Sequence, residues 1–199
     1  SHYMILWLST LVKGDLGGSN ITMAIMATLQ QIDLALFDKV FHLGRDNKAM
    51  TKSAIALSRS GDGYLQLITP AMVWLSESVL APTYVFALAA AMLLERITYF
   101  VLKNTLKRLR PCDFKKNLKS LVAASDKFSF PSGHTSAAFC FSTISVITFG
   151  GAYTAMFIWA SLVGASRVVI GVHYPGDIAA GAIVGSGIAL GTASMLNIW

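Results

Sequence analysis

The chain has 199 residues, of which 54% are hydrophobic and only 13% are charged. Soluble domains carry about 25% charged residues, so this composition argues against a soluble globular protein. The net charge of +6 would suit nucleic-acid binding in a soluble protein, but here the basic residues flank long apolar segments and indicate membrane topology and an anionic ligand instead.

The amino-terminal segment, residues 1–22, receives no firm assignment. Its apolar stretch from Met4 to Val12 is much shorter than the ~20 residues that cross a bilayer. Because it has neither a basic front nor an A-x-A cleavage site, it lacks the features of a secretory signal peptide.

Residues 23–60 are predicted to form amphipathic helices, over about 24–43 and 50–59. We interpret the first as a helix that lies in the membrane interface, with packing against other protein as the alternative. Its apolar residues recur every three or four positions and therefore share one helical face: Ile25, Leu29, Ile32, Leu36, Val40 and Leu43.

Residues 61–199 contain apolar segments of near-spanning length. The predicted fold is all-α: a polytopic membrane helical bundle of about five transmembrane helices plus an amphipathic interfacial amino-terminal helix. Two G-x-x-x-G patterns, Gly181 with Gly185 and Gly187 with Gly191, predict close helix packing within the chain. Cys112 and Cys140 do not suggest a disulfide framework. The predicted spans are 62–78, 80–102, 132–149, 152–170 and 177–198.

The distribution of basic residues predicts the orientation in the membrane. Of the 16 Lys and Arg, all but Arg96 lie on or next to the face that holds the 103–131 loop and the 171–177 turn. The positive-inside rule makes that face cytoplasmic. We therefore predict a multi-pass protein of the cytoplasmic (inner) membrane whose active site faces the cytoplasm.

Three polar clusters stand out, and the predicted spans place all of them on this one face. The first follows the second span and the second begins the third span. The last lies between the fourth and fifth spans. In order they read Lys103-x6-Arg110-Pro111, Pro131-Ser132-Gly133-His134, and Ser166-Arg167-x5-His173-x3-Asp177.

These residue types supply what phosphoryl transfer requires. Lys103, Arg110 and Arg167 are cations, and an arginine grips phosphate through two parallel hydrogen bonds. Ser132 and Gly133 precede a helix, whose first N–H groups bind anions. Two histidines and a nearby carboxylate offer a nucleophile, an acid and an orienting group. The spacing shows no metal-ligand pattern, so neither a metal nor another cofactor is predicted.

The three clusters resemble the signature of the type 2 phosphatidic acid phosphatase superfamily. That superfamily includes membrane lipid phosphatases, soluble bacterial acid phosphatases and vanadium haloperoxidases. The resemblance covers residues 103–177 and fills every signature position. Residues 58–63 also look like the region upstream of the signature, although this part is much less diagnostic.

The resemblance implies a role for each position. His173 would be the nucleophile that takes the phosphoryl group, Asp177 would orient and activate it, and His134 would be the general acid. Ser166 would make a local hydrogen bond. The phosphate oxygens would be bound by Lys103, Arg110, Ser132, Gly133 and Arg167.

Charged residues near the clusters receive structural interpretations. Lys107 and Arg108 are expected to extend toward water from a helix end. Glu95 and Arg96 lie within the second span, where ionisable groups are costly, and Glu95 is expected to pair with an active-site base.

The resemblance implies a metal-independent membrane hydrolase that forms a phosphohistidine, with residues 61–199 as its transmembrane phosphatase core. The chain resembles phosphatases that act on phosphatidylglycerol phosphate and undecaprenyl diphosphate. Phosphatidic acid and other polyprenyl phosphates are further candidate substrates. The expected partners are the lipid substrate and the membrane, and not nucleic acid.

Three alternatives accompany this prediction. A phosphotransferase would share the chemistry but pass the phosphate to another lipid or a sugar. A non-catalytic transport or scaffold protein is disfavoured because no signature residue is missing. A haloperoxidase is disfavoured because several spans and a site at the membrane edge suit a lipid better.

Overall fold

The computed structural model describes residues 18–115, 118–124 and 126–199. The all-α prediction is confirmed: within these residues, extended backbone pairs at one isolated bridge between Leu109 and Phe128. Most of the segment 1–22 lies outside the described residues. The helices are α1 (Gly18–Asp46), α2 (Lys48–Ser60), α3 (Tyr64–Leu75), α4 (Ala81–Leu106), α5 (Pro111–Phe114), α6 (Gly133–Phe149), α7 (Ala155–Val169) and α8 (Pro175–Leu196), with a 3₁₀ helix over Gly151–Thr154 before α7.

Three helical stretches of the described chain are long and apolar enough to cross a bilayer: α4, the stretch Gly151–Val169, and α8. Helix α3 has 12 residues and contains Pro70, so at 1.5 Å per residue it is about 18 Å long, well short of the hydrocarbon core. Helix α6 has 17 residues. The count of five spans therefore stays a prediction, whereas the boundaries of the long helices lie within a few residues of those expected.

Helix α6 is the centre of the bundle, because it packs against α4, α7 and α8 and buries most of its residues. Its contact with α8 depends on glycine. A Cβ on Gly185 would lie 2.0 Å from the Ser136 carbonyl oxygen, and one on Gly181 would lie 2.7 Å from that of Ser132. Close packing is thus confirmed for this pair. For Gly187 and Gly191 it is not seen among the described residues, because a Cβ there would meet no atom of another described element within 4 Å.

Helix α1 has two apolar faces. Phe37 and Phe41 are buried against Val168 and Tyr174. The predicted stripe lies mostly on the outside: Ile25, Leu29, Ile32, Leu36 and Leu43 are 48–60% exposed. An inward face joined to the bundle and an outward apolar stripe are what a helix at the membrane interface needs.

The largest apolar cluster of the described residues lies away from the polar clusters. It is built where α4, α6 and α8 cross, around Tyr84, Leu88, Phe141 and Ile144. The Tyr84 hydroxyl is satisfied there by the Ser145 hydroxyl at 3.0 Å. This core fixes the helices whose ends carry the site.

Candidate active site

The three sequence clusters meet at one end of the bundle. Lys103 is in the last turn of α4, His134 in the first turn of α6, Arg167 near the end of α7, and Asp177 in the first turn of α8. His134 is half-buried. The other predicted site residues are buried: Lys103, Arg110, Ser132, Gly133, Arg167, His173 and Asp177.

The His173–Asp177 pair is built by the start of α8. Pro175 occupies the first turn, and the Asp177 carboxylate caps the helix by accepting from the Tyr174 N–H at 2.9 Å. The same oxygen, Oδ2, lies 3.5 Å from Nδ1 of His173. This contact is electrostatic rather than a well-formed hydrogen bond, because Nδ1 has no hydrogen-bond partner among the described residues. Because Nδ1 faces Asp177, the other ring nitrogen, Nε2, faces Arg110 and the rest of the site.

His173 is held in its neutral form. Burial lowers the pKa of His173 to about 4, and the nearby guanidinium groups of Arg110 and Arg167 add to this effect, which outweighs the opposing contribution of Asp177. Nη1 of Arg110 lies 3.5 Å from Nε2 of His173 and donates to the Val172 carbonyl oxygen at 2.7 Å. A neutral imidazole beside guanidinium groups is equipped to attack an anionic group that those cations bind.

Asp126, which the sequence analysis missed, binds two of the predicted phosphate ligands. Its carboxylate accepts from Lys103 at 2.8 Å, from Arg110 at 2.6 Å and from the Tyr99 hydroxyl at 2.5 Å. Partial burial disfavours its charge, but these hydrogen bonds prevail and hold the pKa of Asp126 well below its usual range. The only feature of the sequence that could have indicated Asp126 is its negative charge within the basic 103–131 loop.

Residues 58–63 supply two further contacts. Oδ1 of Asp62 lies 2.8 Å from Nε2 of His134, and the Ser58 hydroxyl accepts from Nη1 of Arg167 at 2.5 Å. The Arg167 Nε is buried without a hydrogen-bond partner in the described part of the chain. A buried guanidinium with an unused donor is suited to an anion that completes its hydrogen bonding.

The start of α6 completes the site. A Cβ on Gly133 would lie 2.6 Å from the Tyr99 ring, so only glycine fits beside that ring without displacement. The Ser132 N–H donates to the Asp177 carbonyl oxygen at 3.1 Å, which ties the start of α6 to the start of α8. The first N–H groups of a helix have no partner within the helix, so this turn can bind an anion.

Comparison with known proteins decides the family. The sequence pattern of the PAP2 superfamily matches residues 84–198, more than half of the chain. The chain belongs to the PAP2 superfamily. The match includes all three clusters and every predicted site residue.

A curated relative and two crystal structures are similar to this PAP2 protein. The lipid A 4'-phosphatase of Bacteroides thetaiotaomicron is 33% identical over 91 residues, which is 42% of this chain and 40% of that protein. The chain thus matches about two-fifths of that relative's length.

The two crystal structures show the fold. LpxE of Aquifex aeolicus has a TM-score of 0.70 at 24% identity, over 81% of this chain and 94% of the other. The transmembrane PAP2-type phosphatidylglycerolphosphate phosphatase of Bacillus subtilis has 0.70 at 20% identity, over 97% and 92%. These likenesses confirm the predicted membrane helical bundle, and the chain is a multi-pass membrane protein.

Two charged residues of this PAP2 protein differ from expectation. Arg108 does not extend toward water: it is 6% exposed, and its guanidinium binds Asp33 and Asp177. Glu95 does not pair with an active-site base. It accepts from the Ser136 hydroxyl and lies 3.6 Å from Arg96. Both predictions failed because the partners are far away in sequence or on another helix.

Two smaller predictions agree with the structure. Lys107 is exposed at the end of α4, and the Ser166 hydroxyl donates locally to the Val163 carbonyl oxygen at 2.6 Å.

Among the described residues, no group of three or more His, Cys, Asp or Glu side chains is arranged to hold a metal ion.

Proposed function

We propose that this PAP2 protein hydrolyses the phosphate or diphosphate of a membrane lipid through a phosphohistidine on His173. The observation that carries the proposal is the position of the neutral, buried His173. Its Nδ1 lies 3.5 Å from a carboxylate and its Nε2 lies 3.5 Å from a guanidinium. This arrangement presents a lone pair on Nε2 to any phosphate that Arg110 binds.

The reaction follows from these positions. Nε2 of His173 attacks phosphorus while the bond to the lipid oxygen breaks. His134 protonates that departing oxygen, and Asp177 stabilises the positive charge that develops on the His173 ring. Water then attacks the phosphorus of the phosphohistidine while its bond to Nε2 breaks, His134 takes the proton of that water, and inorganic phosphate leaves.

The cations would carry the charge of the transferring group. Arg167 offers its unpartnered Nε, and the N–H groups that follow Ser132 and Gly133 lie at the helix start. Lys103 and Arg110 would bind the remaining phosphate oxygens once their hydrogen bonds to Asp126 are replaced by hydrogen bonds to the substrate. Three cations and a helix start supply this charge without calling on a metal.

An apolar groove supports a lipid as the substrate. It holds about 410 Å³ beside α3 and α7 and is lined by Leu65, Met156 and Trp159 among others. The Trp159 Nε1 donates to the Ser60 hydroxyl at 3.0 Å, between the residues that contact His134 and Arg167. A hydrocarbon chain in this groove would leave its headgroup near the site. Phosphatidylglycerol phosphate, phosphatidic acid and polyprenyl phosphates or diphosphates all have this form.

Phosphate release tests the proposal. Purified protein in detergent with EDTA would be given the candidate lipids and a short-chain soluble phosphate. Wild type should release phosphate from at least one lipid and much less from the soluble compound, and His173→Ala should release none. His42→Ala is the matched control, because His42 is exposed on α1. Absence of wild-type release contradicts hydrolysis, and transfer of phosphate to an added lipid or sugar would identify a phosphotransferase.

We also propose that residues 23–60 lie at the cytoplasmic interface and that 61–199 form the transmembrane core. Lys119 is exposed at the end of the bundle that carries the site. Val79 is 90% exposed in the connection between α3 and α4, at the other end of the bundle. In a Cys112→Ser background, an impermeant thiol reagent on intact cells should label Val79→Cys and spare Lys119→Cys. The reverse pattern would place the site outside.

A further inference from the structure

A chain of buried charges connects the interfacial helix α1 to the nucleophile. The guanidinium of Arg108 lies between two carboxylates, 2.5 Å from Oδ2 of Asp33 on α1 and 2.7 Å from Oδ1 of Asp177 on α8. It also stacks over the Tyr174 ring, 4.1 Å from the centroid. Asp33 lies outside the signature clusters, Arg108 fills an unspecified position of the first cluster, and neither has a part in the reaction proposed above.

Asp177 depends on Arg108 for its charge and its orientation. The Asp177 side chain has no exposed surface, and a buried carboxylate stays ionised only when it is paired and hydrogen-bonded. Arg108 occupies Oδ1, which leaves Oδ2 to the Tyr174 N–H and to Nδ1 of His173. Arg108 thus determines which carboxylate oxygen faces the nucleophile.

Asp33 fixes both Arg108 and the beginning of α8. Its Oδ2 binds Arg108, while its Oδ1 accepts from the Gly176 N–H at 2.7 Å. A Cβ on Gly176 would lie 3.0 Å from the Asp33 carboxylate, so the absence of a side chain permits this approach. Helix α1 therefore holds the turn that carries His173 and Asp177.

We propose that Arg108 and Asp33 are positioning residues for the phosphoryl transfer. Asp33 fixes Arg108, Arg108 fixes the Asp177 carboxylate, and Asp177 fixes the His173 ring. This inference rests on the proposed function. It assigns α1 a role in the reaction in addition to its contact with the membrane.

Steady-state kinetics on the best lipid substrate test the proposal. Arg108→Gln should lower kcat by roughly 100-fold with little change in KM, because a misplaced nucleophile loses rate and not phosphate affinity. Arg108→Lys should recover part of the loss by restoring the charge. Asp33→Asn should lower kcat by about tenfold, since the amide oxygen still accepts from Gly176 but no longer pairs with Arg108.

Asp38→Asn is the matched control. Asp38 is also on α1 and pairs with Lys115 at 2.5 Å, but both side chains are more than one-third exposed. This variant should retain wild-type kcat. If Asp33→Asn and Asp38→Asn behave alike, the link through α1 is wrong. If Arg108→Gln raises KM and leaves kcat unchanged, Arg108 binds substrate phosphate and is not a positioning residue.

Orthovanadate binding separates this proposal from the proposed function. Vanadate takes the five-coordinate geometry of phosphoryl transfer on a nucleophile, so its affinity reports the placement of His173 without any lipid. Wild type should bind it, with roughly tenfold or greater weakening in Arg108→Gln and Asp33→Asn and none in Asp38→Asn. Equal affinity in all variants overturns the positioning proposal alone. Wild type that neither binds vanadate nor hydrolyses lipid overturns the proposed function as well.

Discussion

The two histidines of the site lie in opposite surroundings. His173 is buried, with a carboxylate near one ring nitrogen and a guanidinium near the other. His134 is half-buried at the edge, and its Nε2 lies 2.8 Å from the partly exposed Asp62. A guanidinium beside a ring nitrogen favours the neutral imidazole, whereas a carboxylate beside it can accept a hydrogen bond from the ring N–H. Under the proposed function, these contacts assign attack to His173 and proton donation to His134.

The largest expected effect separates attack from proton donation. His173→Ala should lower kcat by at least about 10⁴-fold on every substrate, because the ring nitrogen that attacks phosphorus in the proposed reaction is removed. His134→Ala should lower it by roughly 10²–10³-fold on an ordinary lipid phosphate. On a tailed aryl phosphate, whose phenolate leaves without a proton, the first-turnover burst of phenolate should be nearly normal in His134→Ala, although later turnovers still need His134 to activate water. Equal losses of first-turnover rate on both substrates would contradict the division of roles.

The burial of His173 should also appear as pH-dependent stability. Its pKa is lowered to about 4, whereas an unfolded histidine titrates near 6.5. The unfolded chain therefore binds a proton that the folded one excludes as the pH falls below 6.5. The free energy of unfolding should drop by about 3 kcal/mol between pH 6.5 and 4. Unfolding in SDS at several pH values measures this drop, which should shrink in His173→Gln.

A tenfold effect is expected at the partner of the acid. Asp62→Asn should lower kcat by about tenfold, because the protonated His134 loses its carboxylate. The loss should be absent from the first-turnover burst of phenolate on the tailed aryl phosphate, as for His134→Ala. Arg59→Gln is a matched control: Arg59 lies in the same upstream segment and is exposed. A loss that persists in the burst on the aryl substrate would mean that Asp62 acts on attack instead.

The smallest effect concerns the cations on the nucleophile side. Asp126 shares Lys103 and Arg110 with the incoming phosphate, and it is partly exposed. Asp126→Asn should therefore strengthen inhibition by inorganic phosphate by at most about fivefold. Titration of product inhibition measures this change. Weaker inhibition would show that Asp126 organises the two cations more than it competes for them.

Local sequence patterns were sufficient to predict the positions of the long helices. Apolar runs located α4 and α8 within a few residues, since spanning length and helix-ending residues are properties of one segment. The three clusters also met as predicted, because each sits at a helix end at the same end of the bundle.

Pairings between distant segments were not predictable in this way. Arg108 meets Asp33 across 75 positions and Asp177 across 69, and Asp62 meets His134 across 72. Nothing local distinguishes an arginine that points to water from one that bridges two carboxylates. The two G-x-x-x-G patterns cannot be told apart from the sequence, yet only the pair Gly181 and Gly185 lies on the side of α8 that faces α6.

The glycine contact between α6 and α8 has a consequence for the chemistry. Helix α6 begins with the proposed proton donor and α8 begins with the carboxylate behind the proposed nucleophile, and Gly181 and Gly185 of α8 lie against the main chain of α6. The gap between these two helix starts is therefore held by main-chain atoms, which have no rotamers to change. Side chains along the groove can be replaced to accept a different lipid tail without altering that gap, whereas a single methyl group added at Gly185 would widen it.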